Sequence, residues 1–338
     1  CAMGKFAAKV IVIRQGSRES MKIARRFLLA CVVLFQAGAY AQTAYPVRPI
    51  RLVIQFAPGG SDVVARILTH KMTDALEQSF VIDNRPGAAG VIASGIVAKA
   101  APDGYTLLFS TASFAVTAAY ERNLPYDSVR DFEAVGFIGS QPFMLLLHPS
   151  VQASSVKEFI ALSRAKPMAY GSTGSGGIGH LTHELFNHMA GIAKSTHVPY
   201  RGSGPIVTAL LAGEVPSGMV NLSSAYGQVR SGKLKALAIS TVKRSAFAPE
   251  LPTLAESGLA GFESGTWYGL TGPRGMPPAV IHTLNREMTA ALKTDIKERL
   301  AALGVDLAPS TPQWFATFIR DEIAKWSTVI KLAHVRVE

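Results

Sequence analysis

Residues 50–66, reading IRLVIQFAPGGSDVVAR, constrain this chain more than any other stretch. Residues 50–56 are a short apolar run with β-branched side chains, the pattern of a strand buried on both faces in a parallel sheet. Pro58-Gly59-Gly60 ends the run, and Ser61 or Asp62 can cap a helix that opens at Val63. Strand, glycine turn and helix N-terminus together make a backbone anion cradle. The first amides of a helix have no helical partner, and its dipole places about half a positive charge beside them. Glycine is needed where a Cβ would block the approach of a ligand. The same residues also fit an ordinary βα loop, so the rest of the chain has to decide between the two.

The unit repeats along the chain. A helix to about Glu77, a strand over 79–84, a small-residue helix over 92–100 and a strand over 105–110 spell β-α-β-α-β. That order opens a doubly wound sheet, whose ligands bind beyond the carboxyl ends of the strands. The 110–114 segment, with Ser113, lies on that side. Residues 132–148 read as two extended pieces around Gly139, long enough to cross from one lobe to another. A second α/β lobe follows: helix 155–166, strand 168–172, a glycine run, helix 178–190, strand 196–200, helix 205–212, strand 215–221, helix 223–232 and strand 235–240. A second extended crossing over 265–271 leads into a helical tail. Its last helix, 312–332, carries Trp314, Phe318 and Trp326 on an apolar stripe that reads as core packing. Two lobes joined by two crossings imply a cleft and a hinge.

Charge and leader bound the function. The formal charge of +11 misleads, because seven of the 34 basic residues and one of the 23 acidic ones fall within the first 41 positions. The remaining 27 and 22 leave a mildly basic chain with no need of a polyanionic partner such as nucleic acid. Residues 21–41 read as a cleavable secretory signal peptide. Lys22, Arg25 and Arg26 precede an apolar run, and Ala39-Tyr40-Ala41 fits the cleavage rule, which places residues 1–20 in an N-terminal extension and the mature start at Gln42. Cys1 and Cys31 both precede that point, so the mature chain is expected to carry no disulfide and no thiol chemistry.

Three enzyme patterns are invited and none is completed. Residues 174–179, GSGGIG, satisfy GxGxxG, but no acid follows at the distance that would hold a ribose. His183-Glu184 is followed by Asn187 where a zinc-binding helix needs its second histidine; His188 comes one position late, so these histidines read as core or solvated. Neither Ser172 nor Ser175 has nucleophile-elbow spacing. No catalytic residue, metal ligand or cofactor site is expected. What remains is a second cradle, Ser172-Thr173-Gly174-Ser175-Gly176-Gly177, which follows a strand and opens a helix as the first one does. Two such N-termini from opposing lobes could hold the two ends of a dicarboxylate or grip one carboxylate between them.

These residues resemble the substrate-binding proteins of tripartite tricarboxylate transporters, the Bordetella uptake gene (Bug) family. The resemblance runs from Tyr45 to the C-terminus. It rests on FAPGGSDVVAR (56–66), NRPGAAG (84–90), APDGYTLL (101–108), LPYDSVRDF (124–132) and YGSTGSGGIGHLTHELF (170–186), and on VPYRGSGP (198–205), GKLKALAIST (232–241), LPTLAESGLAGFES (251–264) and WYGLTGPRGMPP (267–278). It implies an α/β, two-lobed periplasmic binding protein of type II, with open sheets, helices on both faces and a ligand cleft between lobes. It implies no catalysis, a small organic carboxylate ligand, membrane permease subunits as partners, and a monomer. The expected divisions are 1–41 for extension and leader, 42–144 and 265–338 for the first lobe, and 145–264 for the second.

The candidate ligand contacts are Phe56, Gly59, Gly60, Ser61 and Asp62 in the first loop, Ser113, the second-loop residues Ser172, Thr173, Gly174 and Ser175, then His180, and finally Asn221 and Ser223. Two departures from the family pattern bear on the ligand. The first loop is one residue short of PGGxxD, and the acids usual between 214 and 221 are replaced by Pro216 and Val220. Loss of the acid before Asn221 disfavours an ammonium group, and with it an amino-acid ligand.

Overall fold

The apolar runs become strands in the order the sequence sets them. The computed structural model describes residues 45–121 and 123–332, so the expected extension and leader, with Cys1 and Cys31, lie outside the described residues. The chain begins β1 (Ile50–Ile54), α1 (Ser61–Leu76), β2 (Phe80–Asn84), α2 (Val91–Ala98), β3 (Thr106–Thr111), α3 (Ala112–Tyr120) and β4 (Phe132–Gln141). It continues β5 (Phe143–Leu147), α4 (Val156–Ala165), β6 (Met168–Ser172), α5 (Ile178–Met189), β7 (Ser195–Pro199), α6 (Ser203–Ala212), β8 (Ser217–Asn221), α7 (Leu222–Arg230) and β9 (Lys235–Ile239). It closes with β10 (Thr266–Pro273), α8 (Pro278–Ala291), α9 (Ile296–Ala301), β11 (Asp306–Leu307) and α10 (Pro312–Leu332).

Two mixed sheets result. The first has the order β11-β4-β10-β3-β1-β2 and the second β7-β6-β8-β5-β9. β1 pairs in parallel with β2 and β3, and its Ile50, Leu52, Val53 and Ile54 are fully buried, as an unbroken apolar run demands. β10 runs antiparallel between β3 and β4, which returns the chain to the first sheet after the second is complete.

The outgoing crossing breaks at Pro142, between β4 and β5, and not at Gly139 as its sequence suggests. Proline lacks the N–H that a continuous ladder would use. Gly139 stays inside β4 because a bare Cα lets β11 lie against it; a Cβ there would strike the Asp306 carbonyl. The two crossings are tied together by Ser240, whose Oγ accepts from the Phe143 amide (3.0 Å) and donates to the Ser264 carbonyl (2.7 Å).

The tail helix docks on the first lobe. Trp326 is buried, and the indole N–H groups of Trp267 and Trp326 both donate to Glu322 Oε2, at 3.1 and 3.2 Å. Trp314 departs from the expected core stripe: it stacks on Phe318 at 5.1 Å yet remains 49% exposed. One helix missing from the sequence reading is α3, whose small residues (ASFAVTAA) look like loop but bury Ala112 to Thr117 against the first sheet.

Candidate ligand-binding site

The 56–61 loop is shaped by its glycines. Gly59 and Gly60 have φ of 111° and 49°, a region that side chains rarely adopt. Gly60 is the N-cap of α1, and no side chain caps that helix. Asp62, expected as a cap or a ligand contact, turns its carboxylate back into the fold. It accepts from Arg66 Nε (2.9 Å) and Asn84 Nδ2 (3.1 Å), and Asn84 also donates to the Phe56 carbonyl (2.8 Å). The loop is thus clamped from behind. Among the described residues, the Gly60 and Ser61 amides donate to no protein group.

The same loop meets the second lobe backbone to backbone. The Ala57 amide donates to the Arg201 carbonyl at 2.8 Å. A Cβ on Gly204 would come within 2.5 Å of the Pro58 carbonyl, and one on Gly59 within 3.1 Å of the Gly204 Cα. A side chain crosses as well: Ser113 Oγ, fully buried at the start of α3, accepts from the Ile178 amide at 3.1 Å. It caps α5 from the opposite lobe, where the helix has no cap of its own.

The second glycine run does not offer the expected row of open amides. Gly174 donates to Ser172 Oγ (3.3 Å), Gly176 to His180 Nδ1 (3.1 Å), Gly177 to the Gly174 carbonyl (3.1 Å) and Ile178 to Ser113. What the run presents is the hydroxyl of Thr173, a residue only 6% exposed whose Oγ1 has no hydrogen-bond partner. His180 is a scaffold for this loop. Its ring stacks on His197 at 3.9 Å, and Tyr170 stacks on His183 at 3.7 Å. Ser172 Oγ lies 2.5 Å from His197 Nε2. Burial pushes His180 and His197 down to about 4, and burial with two neighbouring imidazoles pushes His183 to about 3, so the column is neutral near pH 7.

Between the lobes lies a chamber lined by Phe56, Gly59, Ser61, Thr111, Phe143, Thr173, Ile178, Ser203, Asn221, Thr266 and Tyr268. About 20 Å³ is open to the centre of a water-sized sphere, room for one or two waters or a carboxylate head. Residues at the N-termini of five helices line it: Ser61 of α1, Thr111 before α3, Ile178 of α5, Ser203 of α6 and Asn221 before α7. Each brings about half a positive charge. No Asp, Glu, Lys or Arg stands in the wall, and burial holds the Tyr268 phenol above its usual range, so it stays neutral. Phe56 and Thr173 also line an outer compartment of about 320 Å³, with Ala88, Ala89, Gly174, Ser175, Tyr200 and Arg201.

Of the residues expected from sequence, Phe56, Gly59, Ser61, Thr173 and Asn221 line the chamber, and Gly174 and Ser175 line the outer compartment. Gly60 abuts Asn221 and Ser224. Ser113 is spent on the Ile178 amide, Ser172 and His180 on the glycine run, and Ser223 on Gln141 at 3.2 Å. Sequence reasoning missed Thr111, Phe143, Ile178, Ser203, Thr266 and Tyr268. Ser203 had a signal, since Gly202-Ser203-Gly204-Pro205 follows a strand as the other glycine turns do. Tyr268 had none.

The profile of the tripartite tricarboxylate transporter family receptor matches residues 64–335. Protein BugT of Bordetella pertussis is 38% identical over 315 residues, covering 90% of this chain and 96% of that one. The structure of R. palustris Rpa4515 with adipate superposes with a TM-score of 0.83 at 35% identity, over 86% of this chain and 99% of that one. MatC from Rhodopseudomonas palustris with bound malate gives 0.79 at 32%, over 85% of this chain and all of that one.

Proposed function

Because the chain belongs to the tripartite tricarboxylate transporter receptor family, we propose that it captures a small organic carboxylate between its lobes and delivers it to a membrane permease. The site of action is the periplasm, reached through the leader over 21–41, and the protein acts there as a monomer without cofactor or catalysis. The observation that carries this reading is the convergence of five helix N-termini on a chamber free of ionised side chains. Such a wall favours an anion of low charge and gives no counter-charge to a cation.

The Ser61 amide and hydroxyl and the Thr173 hydroxyl in the chamber wall, with the adjoining Gly60 amide that donates to no protein group, are the donors for one carboxylate. The outer compartment takes the rest of the ligand, with Arg201 at its edge for a second acid group. Adipate and malate in similar proteins support a diacid. A thermal-shift screen of mono- and dicarboxylic acids tests the proposal. At 100 times its Kd, a ligand should stabilise the protein by about 2.7 kcal/mol. A screen in which amines or sugars stabilise the protein and no acid does would overturn it.

A further inference from the structure

We infer that Gln141, which stands outside the chamber wall, is a positioning residue for ligand binding: its amide seats the start of α7 on the first sheet and so places the wall residues Asn221 and Ser203. This rests on the carboxylate reading above and adds to it the residue that holds one side of the chamber together. Gln141 is the last residue of β4, directly before the break at Pro142, and it is buried. One contact fixes its orientation. The Leu303 carbonyl, 2.5 Å from Nε2, can only accept, so the amide N–H group faces it and Oε1 is left to accept elsewhere.

Three donors meet that oxygen. The Tyr268 hydroxyl lies at 2.5 Å, and Asn221 Nδ2 and Ser223 Oγ each lie at 3.2 Å. Tyr268 belongs to β10 of the first sheet, whereas Asn221 ends β8 of the second and Ser223 stands in the first turn of α7. Asn221 Nδ2 also donates to Tyr268 Oη at 3.1 Å, which closes a ring of three side chains between the two sheets. The ring reaches one step further. With its Nδ2 held there, Asn221 turns Oδ1 to the Ser203 hydroxyl, which donates at 2.6 Å from the first turn of α6. Gln141, Tyr268, Asn221 and Ser203 are all buried, so lifting α7 off the first sheet would break several bonds between desolvated groups at once.

An apolar contact backs the ring. Leu222 is fully buried and fills the space beside Gly304, where an added Cβ would come within 2.0 Å of its side chain. The Leu222 amide donates to the Pro142 carbonyl at 3.3 Å. This seat adjoins the break in the crossing, where a hinge rotation displaces atoms least. The Ala57–Arg201 and Ser113–Ile178 contacts are separate single bonds, and they part when the cleft opens. The Gln141 ring stays, and keeps Asn221 and Ser203 in place for the next ligand.

Hydrogen–deuterium exchange on the purified, ligand-free protein tests this. Gln141→Met keeps the side-chain length and removes both the donor and the acceptor. Segments 202–210 and 219–226 should then exchange at least about threefold faster than in wild type, while segment 156–165 of the same lobe keeps its rate. A role confined to β4 would instead speed 132–141 and 303–307 alone. Ser223→Ala removes one of the three donors and should speed the same two segments at least about twofold, which decides the matter if Gln141→Met fails to fold. In calorimetry with malate and adipate as probes, whichever acid binds wild type should bind folded Gln141→Met at least about tenfold more weakly. Wild-type exchange in 202–210 and 219–226, in either variant that keeps its fold, would overturn the inference and leave the carboxylate reading standing, and so would an affinity within twofold of wild type. If wild type binds neither probe and no acid in the wider screen, the carboxylate reading falls and the exchange rates alone decide the role of Gln141.

Discussion

Replacing Gly204 by alanine separates closure of the cleft from stability of the fold. Gly204 is the second residue of α6, and its φ is not in the left-handed region, so alanine fits its backbone. Alanine in place of glycine within a helix is worth about 0.5–1 kcal/mol, less at a helix end, so the unliganded protein should melt no lower than wild type. Across the cleft the effect has the opposite sign. The new Cβ would lie 2.5 Å from the Pro58 carbonyl, so the two loops must part by several tenths of an ångström. Parting them strains the Ala57–Arg201 bond and the Ser113–Ile178 bond, at 2.8 and 3.1 Å. With each contributing about 0.5–1.5 kcal/mol, the closed state loses about 1–3 kcal/mol, or about 5- to 150-fold in affinity. Calorimetric titration beside a thermal melt reads both quantities. Affinity within twofold of wild type would refute the claim that closure brings these backbones together, and so would a melting point lowered along with the affinity.

Ser113→Ala removes the cross-lobe cap of α5 and should weaken binding by about 0.5–1.5 kcal/mol; an unchanged Kd by calorimetry would mean the contact does not couple closure to binding. Thr173→Val deletes a buried hydroxyl with no protein partner, so denaturant unfolding should show the unliganded protein unchanged or more stable while affinity falls; loss of stability would show that the hydroxyl is held by the fold. The histidine column sets an acid limit. His180, His183 and His197 are neutral in the fold, with values depressed from 6.5 to about 4, 3 and 4, whereas the unfolded chain takes up protons near 6.5. Stability should be complete above about pH 6.5 and fall steadily toward pH 4, and unfolding midpoints that stay level across that window would contradict the burial argument.

Local patterns made most of the fold legible. Residues 50–66 carry their own strand, turn and helix start, and the same grammar places β6, α5 and β8. What stayed hidden depends on distant partners. The crossing breaks at Pro142 and not at Gly139 because β11, about 165 residues later, packs on that glycine. Ser113 lies at a strand end, where a ligand contact is expected, yet its role is to cap a helix of the other lobe. His180, expected as a ligand contact, instead orders the glycine run from behind. The sequence suggested two facing helix N-termini. Five converge, because Thr111, Ser203 and Asn221 are brought together only when both sheets close on the cleft.

The most direct measurement is a crystal structure of the protein with the tightest acid from the screen. A carboxylate within about 3 Å of the Gly60 and Ser61 amides and the Thr173 hydroxyl is the predicted result. A ligand held in the surface groove between α8 and α10, or bound in the cleft with its carboxylate away from these donors, would contradict the account.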